Sequence, residues 1–453
     1  MTRPVPDARV ARHAAHVNPQ LVKLLGVLGY GRVYERALGT TVWDAEGRGY
    51  LDLLAGFGAL NIGHNHPRLA ARLRAYFDEE ALNLCHFGIT RHAADLAAEL
   101  AKLCGPPLDV TLFGSSGAEG VDAALKLARA ATRRPGFVYC HGGFHGNNLG
   151  PLSIMGDDRL RKPFEPLLAD CSAVPFGDLP ALERALQTKR VAAFVVEPIQ
   201  GEAGVQLPPA GYLRAAQALC ARAGTLLVLD EVQTGLGRTG TMFAFQAEGF
   251  VPDVLVLAKS LSGGLVPVSA TVTSQELFLR AYGTFEAFDA QASTFGGNGL
   301  ACTAGLETLA IVASDGLCAA AEAQGAQLQE GLRARLAGHP LVREVRGRGL
   351  LVGLELGSAA SGMAGWVSGQ VSEKVLGQWL ALKLLEQGVI CQPASHAWDV
   401  LKIEPPLTIT PAEVEAAIDA IGGVLDEYRS VAKVLKDVTH TAASQAWNGW
   451  RFP

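Results

Sequence analysis

The sequence has little charge, few aromatic residues and no excess of basic residues. Of its 453 residues, 18% are charged and 7% are aromatic, and 39 Lys and Arg against 44 Asp and Glu give a formal net charge of −5. A chain of this composition has no positive field that would attract nucleic acid or an anionic membrane surface. We therefore expect neither nucleic acid nor a membrane as a partner.

Long apolar runs are also missing, although 49% of the residues are hydrophobic. The runs are far shorter than the ~20 residues that a helix needs to span a bilayer. The N-terminal segment contains Arg3, Arg9 and Arg12 but no apolar core, so it does not have the pattern of a secretory signal. This composition is typical of a globular protein, and the length allows one large α/β domain and a smaller one.

No Cys-x-x-Cys pair occurs among the eight cysteines, which are Cys85, Cys104, Cys140, Cys171, Cys220, Cys302, Cys318 and Cys391. We expect buried, reduced thiols and a cytoplasmic location. Gly63-His64-Asn65-His66-Pro67 holds two histidines, but no third and fourth ligand follow at zinc-like spacing. We interpret this stretch as a turn and predict no metal site. A Gly-x-Ser-x-Gly nucleophile elbow is absent as well.

From about residue 67 to 310, the chain alternates helical patterns with short apolar runs. These runs predict strands at Val110–Phe113, Phe137–Cys140, Ala193–Glu197, Leu226–Asp230 and Val254–Ala258. Such alternation indicates βαβ units, and hence an α/β fold with a mostly parallel sheet between helices.

The two ends of the chain have other patterns. Residues 1–40 are predicted to form an irregular or partly helical arm, and Val42–Asp52 a hairpin. Beyond residue 315 we predict helix, a strand over Gly347–Leu356, then helix, strand and helix. The Gly/Ser/Ala-rich stretch Ser358–Gly369 is predicted to be an exposed loop, and residues from about 434 onward a tail or an arm on a partner subunit.

These patterns divide the chain into three predicted parts. An N-terminal arm and hairpin (1–66) would pack with the small domain. A large domain (67–313) would hold the mostly parallel sheet, and a smaller C-terminal α/β domain (314–453) would follow it.

Two polar residues stand at the ends of predicted strands. Asp230 ends the run Leu226-Leu227-Val228-Leu229, and Lys259 follows Val254–Ala258. Because ligands bind at the carboxyl edge of parallel strands, we expect this carboxylate and amine to meet there. The pair suits pyridoxal 5'-phosphate (PLP). The lysine can form a Schiff base with its aldehyde, and the aspartate can keep the pyridine nitrogen protonated.

Two segments of small polar residues are candidate phosphate sites. Phe113–Glu119 joins a strand to a helix, where backbone N–H groups and the Ser116 hydroxyl can bind a phosphate. An ordinary N-cap and turn is the alternative, and for this motif taken alone it is the favoured one. Thr294, in Ser293–Asn298, is a second candidate, with a helix cap as its alternative.

Two further segments contain residues that can contact a planar aromatic ring. Gly142–Gly146 follows a predicted strand, and its glycines leave room for a planar ligand on which Phe144 can stack. His145 is either catalytic or holds this loop by hydrogen bonds. Gln233 can donate a hydrogen bond to the phenolic oxygen of PLP, whereas Glu231 is interpreted as structural.

Together these segments resemble the class III aminotransferases, which are fold type I PLP enzymes, from about Tyr50 to about Thr410. The motifs in order are Gly-His-Asn-His-Pro (63–67), Ser-Gly-Ala-Glu (116–119), Phe-His-Gly (144–146), Glu-Pro-Ile-Gln-Gly-Glu (197–202), Asp-Glu-Val-Gln-Thr-Gly-Leu-Gly-Arg-Thr-Gly (230–240), Lys259 and Ser-Thr-Phe-Gly-Gly-Asn (293–298). Arg161–Leu168 and Ile403–Leu407 look most like the putrescine aminotransferase branch, to which the ornithine enzymes are close.

The resemblance implies a role for each candidate. Lys259 would bind PLP covalently and act as general base and acid, while Asp230 would pair with the ring nitrogen. The remaining cofactor-binding residues would be Ser116, Gly117 and Ala118 at the phosphate, Phe144 and His145 at the ring, Glu197 in support, Gln233 at the phenolic oxygen, and Thr294 from the neighbouring subunit. The active sites would thus be shared in a homodimer, with pairing into tetramers left open.

On the substrate side, the resemblance points to Glu202 and Lys402. In relatives that process amino acids, an arginine binds the substrate α-carboxylate at the position where this chain has Lys402, and a lysine keeps the charge but lacks the bidentate guanidinium. Glu202 matches the glutamate that pairs with that arginine. We expect an ω-aminotransferase that moves the amino group of a diamine or ω-amino acid to a 2-oxo acid. The alternatives are a biosynthetic aminotransferase for a larger aldehyde or ketone, and a class III decarboxylase, racemase or aminomutase.

Overall fold

The structure is a computed structural model that describes residues 7–28, 31–85, 88–357 and 366–447. This part of the chain forms fifteen strands: β1 (Tyr34–Leu38), β2 (Thr41–Asp44), β3 (Gly49–Asp52), β4 (Val110–Gly114), β5 (Gly136–Cys140), β6 (Cys171–Val174), β7 (Val191–Val196), β8 (Leu226–Asp230), β9 (Val254–Leu257), β10 (Ser269–Thr273), β11 (Val342–Arg348), β12 (Leu351–Leu356), β13 (Val389–Ile390), β14 (Gln392–Pro393) and β15 (Val400–Ile403).

The same residues form seventeen α-helices, some of a single turn: α1 (Ala8–His16), α2 (Pro19–Leu28), α3 (Ala55–Gly58), α4 (Pro67–Asp78), α5 (Arg91–Cys104), α6 (Gly117–Thr132), α7 (Leu149–Leu152), α8 (Asp158–Arg161), α9 (Leu179–Leu186), α10 (Tyr212–Ala223), α11 (Ala244–Glu248), α12 (Gln275–Tyr282), α13 (Gly299–Ser314), α14 (Leu317–Arg335), α15 (Trp366–Glu386), α16 (Pro411–Glu427) and α17 (Val431–Trp447). Two 3₁₀ helices cover Lys162–Phe164 and Lys259–Ser262.

A seven-stranded sheet in the order β4-β10-β9-β8-β7-β5-β6 forms the centre of the fold. Strands β6, β5, β7, β8 and β9 run parallel to one another, whereas β10 is antiparallel to both β9 and β4. The predicted α/β fold with a mostly parallel sheet is therefore confirmed. Strands β6 and β10 were not predicted. Strand β10 alternates hydroxyl and small apolar residues over Ser269–Thr273, so it lacks the continuous apolar run that marks the other central strands.

Helices cover both faces of this sheet because successive strand residues point to opposite sides. Leu227 and Leu229 of β8 pack in one buried cluster with Leu96 of α5, whereas Val228 packs in another cluster with Val121 of α6. Each fully buried side chain of this kind contributes roughly 1.5–3 kcal/mol to stability. The packing of helices on both faces holds the carboxyl ends of the parallel strands in place along one edge of the sheet.

The other two sheets lie at the two ends of the chain. Strands β1, β2 and β3 are joined by β13, which pairs in parallel with β3, and β11-β12-β15-β14 form the C-terminal sheet. The predicted hairpin Val42–Asp52 is formed by β2 and β3. The predicted single strand Gly347–Leu356 is wrong, because Arg348 pairs with Leu351 across a tight turn in which Gly349 has a φ of +56°. The segment therefore spans the turn between β11 and β12.

Three further expectations need correction. The tail predicted from about 434 begins inside helix α17, and residues 448–453 lie outside the described residues. Of the predicted loop Ser358–Gly369, residues 358–365 also lie outside them, and α15 begins at Trp366. All eight cysteines are free, but Cys85 is exposed rather than buried. Composition alone did not show where helices α15 and α17 begin.

No single helix within the described ranges is long and apolar enough to cross a membrane, although α13 and α14, which meet at a bend of 61°, satisfy that test of length and composition as a pair. In the same residues no group of three or more His, Cys, Asp or Glu is placed to hold a metal ion. His64 instead contacts Asp52, with 2.8 Å between Nε2 and Oδ2.

Candidate active site

Lys259 and Asp230 lie on neighbouring parallel strands, at the edge where their carboxyl ends meet. Asp230 is the last residue of β8 and is in register with Val256 of β9, and Lys259 follows β9. Both side chains line one cavity of about 190 Å³. The structure thus brings together the amine and carboxylate on which the sequence argument depends.

Most of the predicted site residues line this cavity. The lining residues are Gly117, Ala118, Phe144, His145, Gly146, Glu197, Glu202, Asp230, Val232, Gln233 and Lys259. Ser116 stands beside it as the residue before α6, whereas Thr294 and Lys402 do not line it. The loops that follow β4, β5, β7, β8 and β9 supply nearly the whole wall, as expected for an open parallel sheet.

The backbone and the charge environment of Lys259 are both unusual. It has a φ of +46° at the start of a 3₁₀ helix, a conformation that costs roughly 1–3 kcal/mol for a residue with a side chain. The burial of its amino group, and then the nearby positive charge of Lys402, lower the pKa of Lys259. A lysine with a lowered pKa holds more of the neutral amine at neutral pH, and that form is the nucleophile.

His145 holds the carboxylate of Asp230. Its Nδ1 lies 2.8 Å from Oδ2 of Asp230, and the backbone N–H of Val232 donates to Oδ1 at 3.1 Å. Burial alone would lower the pKa of His145, but its hydrogen bond to Asp230 raises it instead. This geometry favours the interpretation of His145 as a positioning residue over a direct catalytic one.

Glu197 supports the loop that carries Phe144. Its Oε1 accepts a hydrogen bond of 2.9 Å from the backbone N–H of Phe144, and burial raises the pKa of Glu197 to about 7. The ring of Phe144 lies 5.8 Å from that of His396, at an interplanar angle of 50°. Glu197 and His396 therefore fix the position of an aromatic ring in the cavity wall.

The start of α6, where the sequence predicts a phosphate site, forms part of the cavity wall. Ser116 is the N-cap, and its Oγ accepts from the backbone N–H of Glu119 at 3.2 Å. The capping interpretation is therefore right for this residue, but a hydroxyl that accepts one hydrogen bond still has its own O–H to donate. At Gly117 a Cβ would lie 3.0 Å from the Val232 side chain, so a larger residue here would require Val232 to shift.

Thr294 lies outside the cavity that holds Lys259. It borders a separate cavity of about 260 Å³ together with Asn83, Cys85 and Phe113. The N-cap of α13 is Asn298, whose Oδ1 accepts from the backbone N–H of Ala301 at 2.9 Å. The helix-cap alternative for Thr294 is therefore wrong, and within one subunit Thr294 does not line the active cavity.

Lys402 lies behind the cavity wall and is fully buried. Its Nζ pairs with Oε1 of Glu202 and, at 2.9 Å, with Oε1 of Glu404. Glu404 also accepts from Nε2 of Gln233 at 3.0 Å. Glu404 was not predicted from the sequence. One signal was available, because residues two apart on an extended chain share a face and Glu404 follows Lys402 by two residues.

The donor set of the cavity fits PLP. Its groups are an amine for the aldehyde, a carboxylate for the ring nitrogen, an aromatic ring, and backbone N–H groups at the start of a sixteen-residue helix for the phosphate. A family model described as "Aminotransferase class-III" matches residues 28–425. The chain belongs to the class III aminotransferases. Its family is that of the fold type I PLP enzymes, as the motifs indicated, and PLP is the cofactor of this class.

Individual relatives agree with this class III assignment. The aminotransferase PigE of Serratia sp. (strain ATCC 39006) is 36% identical over 94% of this chain and 54% of its own length, so the chain spans about half of that curated relative. The ornithine aminotransferase of Toxoplasma gondii ME49 has a TM-score of 0.79 at 32% identity, covering 93% of this chain and 98% of its own. A PLP-bound amine transaminase from an uncultivated Pseudomonas species has a TM-score of 0.78 at 29% identity, covering 87% and 95%.

Proposed function

We propose that this class III aminotransferase is an ω-aminotransferase that moves the amino group of a terminal primary amine, such as a diamine or an ω-amino acid, to a 2-oxo acid, with 2-oxoglutarate as the expected acceptor. One observation carries the choice of a terminal amine. Among the described residues that line the cavity, no arginine occurs, and Glu202 covers Lys402. With Glu202 in this position, a carboxylate directly beside the reacting amine finds no exposed cationic partner, whereas a 2-oxo acid, which carries its carboxylate in that place, would require Glu202 to move off Lys402.

The chain's own residues have defined tasks in this reaction. When bound, PLP supplies an aldehyde that takes up the amino group and a ring that accepts electrons. Nζ of Lys259 holds the cofactor and afterwards moves a proton as general base and acid. Asp230, held by His145, keeps a negative charge at the ring nitrogen. Because the amine and 2-oxo acid react in turn at one cavity, the kinetics should be ping-pong.

A panel of amino donors tests the proposal. The holoenzyme is mixed with putrescine, ornithine, 4-aminobutyrate, lysine or alanine, and the conversion of the cofactor to its amine form is followed by absorbance. We expect terminal amines to convert the cofactor faster than alanine. One molecule of glutamate should form for each donor consumed when 2-oxoglutarate is added. Formation of more than one equivalent of product per active site without any 2-oxo acid would instead indicate a racemase, an aminomutase or a decarboxylase.

We also propose a homodimer with shared active sites. Large apolar side chains stand exposed around the segment that holds Thr294, including Phe285 (89% exposed), Phe295 (60%) and Ile89 (98%). An exposed apolar patch of this kind is typical of a protein–protein interface. A second copy seated on it would allow Thr294 of one subunit to reach the cavity of the other, where its hydroxyl would bind the PLP phosphate.

Subunit mixing tests this arrangement. Thr294→Val should weaken PLP binding about 10- to 100-fold through loss of one hydrogen bond to a charged group, and Lys259→Ala should be inactive. If Thr294 acts across the interface, a mixed dimer has one doubly damaged site and one intact site. At low PLP concentration, mixtures refolded together should therefore exceed the activity of either parent.

Refolding each variant alone is the control for the mixing experiment. A mixture that shows only the average of the two parents would place Thr294 and Lys259 in the same subunit's site and contradict the proposal.

A further inference from the structure

The single turn α3 has an unusual backbone conformation. All four of its residues have φ in the left-handed region, with +47° at Ala55, +60° at Gly56, +59° at Phe57 and +76° at Gly58. This conformation is unfavourable for Ala55 and Phe57, because it brings their Cβ atoms too close to a following carbonyl oxygen. A strained turn of this kind persists only where the surrounding contacts hold it.

Asp52 holds the start of this turn. Its Oδ1 accepts hydrogen bonds of 2.9 Å from the backbone N–H groups of Leu54 and Ala55, and the residue is only 4% exposed. Its Oδ2 lies 2.8 Å from Nε2 of His64, which is itself fixed by two backbone hydrogen bonds with Gly39. His64 therefore orients the carboxylate that caps the turn.

The other end of the turn contacts a residue of the active cavity. The carbonyl oxygen of Phe57 accepts a hydrogen bond of 3.3 Å from Nε2 of Gln233, which lines the cavity together with Lys259. The same Nε2 donates to Glu404 at 3.0 Å. At Gly58 a Cβ would lie 3.0 Å from Oε2 of Glu404, so the turn packs closely against that carboxylate. The turn therefore helps to fix the amide group of Gln233 in the cavity wall.

We propose that Asp52 and His64 are positioning residues for the cofactor. They hold the left-handed turn, whose Phe57 carbonyl keeps the side chain of Gln233 in place beside PLP. The inference rests on the expected position of Gln233 at the phenolic oxygen of PLP, and it does not depend on which amine is the donor. Neither Asp52 nor His64 lines the cavity, so both act through the turn.

Titration of the apoenzyme with PLP tests the inference. The dissociation constant and the absorbance maximum of the bound cofactor are measured for the wild type, Asp52→Ala, Gln233→Ala and the double variant. Each single variant should bind PLP about 10-fold more weakly and shift the absorbance maximum in the same direction. Because Asp52 acts through Gln233, the double variant should bind PLP within about twofold of the weaker single variant.

Three further variants keep the test decisive. Asp253→Ala removes a carboxylate that also accepts a backbone N–H, from Leu227 at 2.7 Å, just before β9 at the opposite edge of the sheet. It should leave PLP affinity and absorbance unchanged even if it lowers the unfolding temperature. His64→Leu should weaken PLP binding, whereas His64→Gln keeps an N–H donor and should recover most of the loss. The two His64 variants decide the question if Asp52→Ala does not fold.

The outcomes separate this inference from the proposed function. A folded Asp52→Ala enzyme with the PLP affinity and absorbance of the wild type would overturn it. Losses that multiply in the double variant, or a Gln233→Ala enzyme with unchanged affinity, would do the same. None of these results touches the proposed ω-aminotransferase function, which the donor panel tests on the wild type. A wild type that binds PLP but converts none of those amines would overturn that function and leave the positioning roles intact.

Discussion

Replacing Lys259 with alanine is expected to abolish turnover and the covalent attachment of PLP. Lys259 is the lysine that lines the cavity among the described residues, and its lowered pKa increases the fraction of neutral amine. Loss of proton transfer alone typically costs about 10²–10⁴ in rate, and loss of the covalent attachment adds to it. Steady-state rates and the mass of the borohydride-reduced protein measure the two effects separately.

Lys102→Ala is the matched control for this substitution. Lys102 is exposed and pairs with Glu99 of the same helix, so its loss should change neither rate nor cofactor mass. Lys402 is the informative alternative, because it is the lysine whose charge acts on Lys259. Full turnover by Lys259→Ala, or a reduced cofactor mapped to the peptide that contains Lys402, would contradict the assignment.

The central part of the fold was predictable from sequence because its strands are buried on both faces. Strands such as Leu226–Asp230 and Val254–Leu257 are continuous apolar runs that end on a polar residue or just before one. Parallel strands place those ends on one edge, so the meeting of Asp230 and Lys259 followed from two short segments 29 residues apart. The prediction needed no knowledge of the loops.

The remaining parts depend on contacts between distant segments, which have no local signal. In the sequence, Glu404 is one residue of an Ile-Glu-Pro-Pro stretch. Only the folded chain shows that Lys402 forms ion pairs with both Glu202 and Glu404. Similarly, the residues Ser293–Asn298 are typical of a helix start. In the structure Asn298 is the N-cap of α13, and Thr294 lines a different cavity from the one that contains Lys259. Periodicity describes what an element buries but does not identify its polar partners.

Arg238 is another residue whose importance appears only in the fold. It is fully buried, and its guanidinium donates from Nη1 to the carbonyl oxygens of Leu350 and Pro405 and from Nη2 to Oδ1 of Asn61. These acceptors belong to the N-terminal segment, to the turn between β11 and β12 and to the loop after β15. Burial lowers the pKa of Arg238 to about 10, so it remains a cation at neutral pH.

We expect Arg238→Met to destabilise the protein by about 3–5 kcal/mol. Methionine fills much of the volume but leaves three buried acceptors without donors, and each costs about 1–3 kcal/mol without strict additivity. The free energy of unfolding in urea measures the effect. Arg190→Met is the control, because Arg190 pairs with Asp170 at the exposed surface at 3.3 Å. Its loss should cost about 0–1 kcal/mol. If both variants unfolded at the same urea concentration, Arg238 would not join the three segments energetically.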